Sequence, residues 1–298
     1  MRILLSGRTG QLGRALAATL PSVGNVVAPP RGQLDLQDRG SIRRTLDDVR
    51  PDLIVNAAAY TAVDKAESER ETAMAVNGTA VGVLADWAAA HNAAILHYST
   101  DYVFDGANAE PARESDPTAP LNVYGETKRA GEIAVAESGA RYLIVRTSWL
   151  YDAEDTNFLR TILRLAGERS ALQIVDDQIG APTPAWWLAN ASTRIIAKSG
   201  AGAMFEGSRG GLLHAAPEGE TSWHGFAVAI VAGARDRGIS LKVEEIAPIP
   251  TSAYPTPAAR PKRSVFALDR LRKEFRIVPP HWRDALSPVL DRVAGLPS

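Results

Sequence analysis

Residues 2–20 read RILLSGRTGQLGRALAATL. A short apolar run breaks at Ser6 into a loop with glycines at 7, 10 and 13, and an alanine- and leucine-rich stretch of helical spacing follows. Glycine is needed where a chain turns tightly and where its backbone must approach a pyrophosphate, and the N-terminus of the helix that follows then faces the phosphate charge. The spacing is G-x-x-G-x-x-G rather than G-x-G-x-x-G, and three glycines alone also suit a plain tight turn. Strand, loop and helix in this order point to a dinucleotide site built from Gly7, Gly10, Gln11, Leu12 and Gly13.

The same alternation repeats along the first half of the chain. NVVA (25–28), DLIVNAAA (52–59), AAILHYST (93–100) and YLIVRTSW (142–149) read as strands, separated by the helical stretches SIRRTLDDVR (41–50), TAVGVLADWAAAH (79–91) and RAGEIAVAES (129–138). Near-continuous apolar strands between helices predict an α/β fold, a doubly wound parallel sheet of Rossmann type covered on both faces. Ligands of such sheets bind along the edge where the strands end. After about residue 150 the alternation weakens, and PIPTSAYPTPAARPKR (248–263) is too rich in proline for a regular helix. The expected organisation is a dinucleotide-binding domain over 1–150 and a smaller, loop-rich α/β substrate lobe over 151–298, partly interleaved with it. No internal repeat is evident.

The 298 residues are 45% hydrophobic and 22% charged, with a formal net charge of -1. No overall field favours nucleic acid or an anionic membrane, so a small molecule in a local pocket is the expected partner. Cysteine is absent, which removes disulfides and thiolate metal sites. The first apolar run is too short for a signal-peptide core, no run reaches membrane length, and a cytoplasmic protein is expected.

VYGETKRAGE (123–132) places Tyr124 and Lys128 four residues apart at the start of a helix, on one face. A cation beside a phenol draws its pKa down from about 10 and makes a proton-transfer pair. A stem-on-ring surface contact would have the same spacing. At the end of the second strand an NAD site carries an acid; here NVVAPPRG has prolines there and then Arg31, with Asp35 and Leu36 further on as candidates at the adenine. Arg31, with Arg8, suits a 2′-phosphate, or both are solvated surface charges. DGANAEPARESDPTAP (105–120) lacks periodicity and is either a lid or a mobile loop. The five histidines show no metal spacing and are read as ordinary.

SGRTGQLG, VNAAAYTAVDKAE, STDYVFDG, PLNVYGETKRAGE, RTSWLY, DQIGAPT and YPTPAARP follow one another over most of the chain. In this order they closely resemble the dTDP-4-dehydrorhamnose reductases of the extended short-chain dehydrogenase/reductase superfamily. The resemblance implies NAD(P)H-dependent reduction of the C4 ketone of dTDP-4-dehydro-β-L-rhamnose to dTDP-β-L-rhamnose, the last step in making activated L-rhamnose. NADPH is the expected coenzyme, with NADH also accepted. It implies Tyr124 as proton donor, Lys128 as the group that tunes the phenol and holds the nicotinamide ribose, and Thr100 as the hydroxyl polarising the ketone. Ala58, Ala59 and Tyr60 would line the pyrophosphate. Asp101 and Trp149 would lie at the sugar; a strand-end cap and an interior aromatic are the alternatives.

Some members of the family bind Mg²⁺ at a dimer contact through glutamates. The matching positions here are Ala15 and Trp186, neither able to ligate a hard cation. No Mg²⁺ requirement is therefore expected, and the chain is expected to be a monomer or homodimer. Another nucleotide-sugar enzyme of the superfamily, an epimerase or dehydratase, competes with this reading. So does a non-catalytic regulatory subunit with the reductase fold. STDYVF lacks a glutamate after Asp101, against dehydration, and all three catalytic residue types are present, against loss of catalysis.

Overall fold

The computed structural model describes residues 1–199 and 204–296. The expected second lobe therefore includes positions, 200–203 and 297–298, that lie outside the described residues. In the first half the elements are β1 (Arg2–Ser6), α1 (Gln11–Thr19), β2 (Asn25–Val27), α2 (Arg39–Val49), β3 (Leu53–Asn56) and α3 (Val63–Ala66). Then come α4 (Arg70–Met74), a π-turn (Ala75–Thr79), α5 (Ala80–Ala90), β4 (Ala94–Thr100), α6 (Val123–Glu137) and β5 (Arg141–Thr147). The second half holds β6 (Leu150–Tyr151), α7 (Phe158–Glu168), β7 (Ala171–Val175), β8 (Ile179–Gly180), β9 (Thr183–Pro184), α8 (Ala185–Ser199) and β10 (Gly211–His214). It ends with β11 (Thr221–Ser222), α9 (Trp223–Arg235), β12 (Glu245–Ile249), β13 (Arg263–Ser264), α10 (Asp269–Lys273) and α11 (Trp282–Val293).

Six strands form one parallel sheet in the order β2-β1-β3-β4-β5-β10. The sheet grows outward from β1 to β2 and then, from β3 on, in the opposite direction. The crevice for a ligand therefore opens at the C-terminal ends of β1 and β3. Alternate residues of each strand serve opposite faces: Ile3, Leu5, Val55, Leu96 and Val145 pack with α1 and α8, whereas Leu4, Ile54, Ile95 and Ile144 pack with α2 and α5.

β10 comes from the second half and completes the sheet beside β5, and α8 lies against α1. The remainder of that half has its own core, in which Leu159, Ile162, Phe226, Ile230, Trp282 and Leu286 join α7, α9 and α11. It is less loop-rich than the sequence suggests: α7, α8, α9 and α11 are 11, 15, 13 and 12 residues long. Tryptophans in α8 and a proline inside α11 mask their helical spacing. The proline-punctuated stretch 248–263 closes β12, makes one tight turn at Thr251–Ala253 and reaches β13. The 105–120 segment is non-regular but anchored, since Ala112 pairs with residues 265–267 through Ala112 N–H to Val265 O and Ala267 N–H to Ala112 O, both 2.8 Å.

Candidate active site

The glycine loop and the turn after β3 are pressed together. Gly7 has φ +73, and a Cβ there would lie 2.6 Å from the Ala58 amide nitrogen. A Cβ on Gly13 would lie 1.9 Å from the Gly7 carbonyl oxygen. Gly10 begins α1 and has no side chain with which to cap it, a helix start of the kind that suits an anion. Leu12 is buried beneath, and the Gln11 side-chain oxygen accepts from Asn157 Nδ2 at 3.1 Å. Ala58, Ala59 and Tyr60 lie in the turn after β3, one residue beyond its end, and the Tyr60 hydroxyl donates to Glu69 at 2.7 Å. The structure thus brings the expected pyrophosphate residues to the switch point of the sheet.

The ribose candidates lie at the end of β2. Arg8 donates to the Ala28 carbonyl at 3.1 Å, and Arg31 is exposed. Asp35 turns its carboxylate onto its own loop, accepting from Gln37 N–H at 3.0 Å, while Leu36 is buried.

β4 ends at Thr100, whose hydroxyl donates to Asp101 Oδ1 at 2.9 Å and accepts from Tyr102 N–H at 3.2 Å. α6 starts where Asn122 caps it, accepting from Gly125 N–H at 2.8 Å and donating to Ala259 O at 2.7 Å. That cap fixes Tyr124 one residue into the helix, with its ring edge-on to Tyr102 and its phenol beside the Thr100 hydroxyl. Asp101 is buried, and loss of solvent pushes its carboxyl up to about 6 against the opposing hydroxyls of Ser264 and Thr100.

One expectation is corrected here. Lys128 shares the helix face with Tyr124, but its ammonium turns inward, donating to the Tyr98 carbonyl at 2.7 Å and lying 3.4 Å from His97 Nε2. A buried ammonium needs acceptors, and β4 supplies them. The phenol is not drawn down: burial first and Asp101 second push Tyr124 up to about 12. Burial lowers Lys128 itself to about 8, opposed by the charge of Glu132.

Trp149 adopts φ +47 and stacks on Trp223 from α9, with ring centroids 3.5 Å apart and planes within 7°. The indole also covers Gly180, where a Cβ would come within 2.5 Å of the ring. That close approach explains the glycine of DQIGAPT. Trp149 is half-buried and faces the second half rather than the sheet interior.

Among the described residues, no group of three or more His, Asp or Glu side chains is arranged to hold a metal ion, and no helix is long and apolar enough to cross a membrane. Ala15 and Trp186 pack against the sheet core.

A family model described as the RmlD substrate binding domain matches residues 1–294. The chain belongs to this reductase family. It is 48% identical to the dTDP-4-dehydrorhamnose reductase of Burkholderia thailandensis over 96% of this chain and 97% of that one. The corresponding enzyme of Salmonella typhimurium is 44% identical, with 95% and 94% covered. A crystal structure of the Bacillus anthracis reductase in complex with NADP superposes with a TM-score of 0.89 at 34% identity, covering 98% of this chain and 99% of that one.

Four residues of this family member were not singled out from sequence. Asn77, in the π-turn, accepts from Tyr60 N–H at 2.8 Å and donates to Tyr60 O at 3.0 Å, clamping the turn after β3. Arg260 pairs with Asp64 at 2.8 Å and ties the proline-rich segment to the first half. Asn56 and His97 lie inside the sheet against Lys128. For the last two the signal was available: polar residues inside otherwise apolar strands.

Proposed function

We propose that this chain reduces the C4 ketone of dTDP-4-dehydro-β-L-rhamnose to dTDP-β-L-rhamnose, with NADPH preferred and NADH accepted, as the last step of dTDP-L-rhamnose formation. The observation that carries this reading is the convergence of Thr100, Tyr124 and Lys128 at the strand-end edge of the sheet, beside the Gly7–Ala58 contact. The reductase names of the relatives and the NADP of the Bacillus anthracis structure support it.

When bound, the dihydronicotinamide supplies a hydride. The chain's own residues then manage the oxygen. Hydride addition leaves negative charge on the former carbonyl oxygen, so catalysis needs donors aimed there and a proton source. Tyr124 gives the proton, and Thr100 donates a hydrogen bond to the same oxygen. Thr100 has one proton, placed on Asp101, so its hydroxyl must rotate to serve the ketone. Lys128 holds the nicotinamide ribose. Gly7, Gly10, Gln11, Leu12 and Gly13 meet the pyrophosphate, and Ala58, Ala59 and Tyr60 line it. Arg31 with Arg8 reads the 2′-phosphate, and Asp35 and Leu36 lie at the adenine. Asp101 and Trp149 bind the sugar, covered by the lobe that follows residue 150. A cytoplasmic monomer or homodimer belongs to the same reading.

The test is absorbance loss of NADPH on addition of the 4-keto sugar, followed by identification of the product. Formation of dTDP-L-rhamnose is expected. Tight coenzyme binding without turnover would favour the non-catalytic reading, and an epimerised or dehydrated product another enzyme of the superfamily.

A further inference from the structure

A row of buried polar side chains crosses the sheet beneath the site. Ser6 faces Asn56 across β1 and β3, and Asn56 faces His97 across β3 and β4. Lys128 descends on His97 from α6, and all four residues are at most 2% exposed. Ser6 Oγ lies 2.6 Å from Asn56 Oδ1, Asn56 Nδ2 3.1 Å from His97 Nδ1, and Lys128 Nζ 3.4 Å from His97 Nε2.

As placed, the imidazole meets a donor at each nitrogen, the Asn56 amide on one side and the lysine ammonium on the other. A neutral ring has one lone pair and one N–H, so it accepts only one of them. A protonated ring accepts neither, and burial together with the Lys128 charge holds His97 well below the usual histidine range. Two neutral arrangements remain. In the first, Nε2–H donates to an uncharged lysine amine; Lys128 falls only to about 8, so at neutral pH the ammonium predominates. In the second, Nε2 keeps its lone pair for the ammonium and Nδ1–H donates to the Asn56 side-chain oxygen. That requires the Asn56 amide to turn by half a rotation, which changes neither its outline nor its packing. Asn56 Nδ2 then donates to Ser6 Oγ, and each contact in the row joins a donor to an acceptor.

We propose that His97 is a positioning residue, fixed as its neutral Nδ1–H tautomer, whose Nε2 lone pair acts with the Tyr98 carbonyl oxygen to aim the Lys128 ammonium. The role in turnover rests on Lys128 serving the reductase site. Two of the three ammonium N–H groups are committed inward, and one remains for a ligand hydroxyl. The row begins at Ser6, immediately before Gly7, so the glycine loop and the lysine are set against each other through three neighbouring strands.

Two measurements test this. Histidine-selective ¹⁵N NMR of the unsubstituted protein, with His97 assigned by substitution, is expected to show a protonated Nδ1 and an unprotonated Nε2 at neutral pH. A protonated Nε2 would overturn the proposal. His97→Gln places an amide near the position of Nε2, whereas His97→Asn places one near Nδ1. If the lysine contact is what matters, the Gln variant retains most of kcat. The Asn variant loses about tenfold or more, the scale of one hydrogen bond to a charged group, even where the two melt alike. Equal kcat in the two would overturn the role in turnover, because a merely structural histidine would lower stability without ordering the variants this way. Absence of turnover by the unsubstituted protein would instead sink the reductase reading, and the NMR result would still decide the tautomer.

Discussion

At the scale of single residues, Thr100 donates to Asp101, and the charge of Asp101 acts on the Tyr124 phenol. Tyr124→Phe keeps the ring and removes the proposed proton source, so kcat should fall by on the order of 10² while coenzyme affinity stays near that of the parent. Near-normal turnover would remove the tyrosine from its role. Because ionised Asp101 pushes the phenol up, Asp101→Asn should lower it, and the alkaline loss of reductase activity should begin at lower pH. A pH profile of kcat whose alkaline limb stays fixed or moves upward would contradict this. For stability the sign is also set by burial: the Asp101 carboxyl is raised from 3.8 to about 6, so its ionisation destabilises the folded chain progressively as pH rises across that interval. At the coenzyme, Arg31→Ala should reduce the ratio of kcat/KM for NADPH over NADH, since a charge-assisted bond to phosphate contributes about 1.5–3 kcal/mol. An unchanged ratio would show that Arg31 does not read the 2′ position. The pairing of Tyr124 with Lys128 was legible because i,i+4 neighbours share a helix face. The inward turn of the ammonium was not, because its acceptors belong to β4, which the sequence places about thirty residues away.

At the scale of elements, β1, the glycine loop and α1 are legible because their requirements are local: an apolar run, glycines at a turn, then helical spacing. The structure adds a ranking among the glycines. A Cβ on Gly13 would strike the Gly7 carbonyl, a backbone atom that cannot step aside, whereas a Cβ on Gly10 would sit 3.5 Å from the same oxygen in ordinary contact. Gly13→Ala should therefore destabilise by about 1–3 kcal/mol, and Gly10→Ala should leave the melting temperature near the parent value. Thermal unfolding of the two variants side by side checks this, and equal melting temperatures would refute the ranking. The aromatic pair of Trp149 and Trp223 shows the opposite case. Each indole is evident in the sequence, but their stacking joins the end of β5 to the start of α9, and such distant pairings carry no local signal.

At the scale of the whole molecule, the parallel sheet could be read from its continuous apolar strands, but its last strand could not, because GLLH at 211–214 is short and follows a half whose alternation has faded. The two halves are also joined on the other side of the glycine loop, where Arg14 pairs with Asp155 at 2.5 Å and Gln11 meets Asn157. Ala15 and Trp186 pack in apolar surroundings and carry no oxygen ligand for a hard cation, so activity is expected to survive EDTA. Loss on chelation, restored by Mg²⁺, would contradict that expectation. The place of β10 bears on how the protein comes into being. During synthesis from the N-terminus, every residue assigned to hydride and proton transfer has emerged by Lys128, yet β5 keeps a bare hydrogen-bonding edge until Gly211–His214 follows. The nascent chain thus passes through an interval in which its chemistry is fully encoded and its sheet is still open to the wrong neighbour.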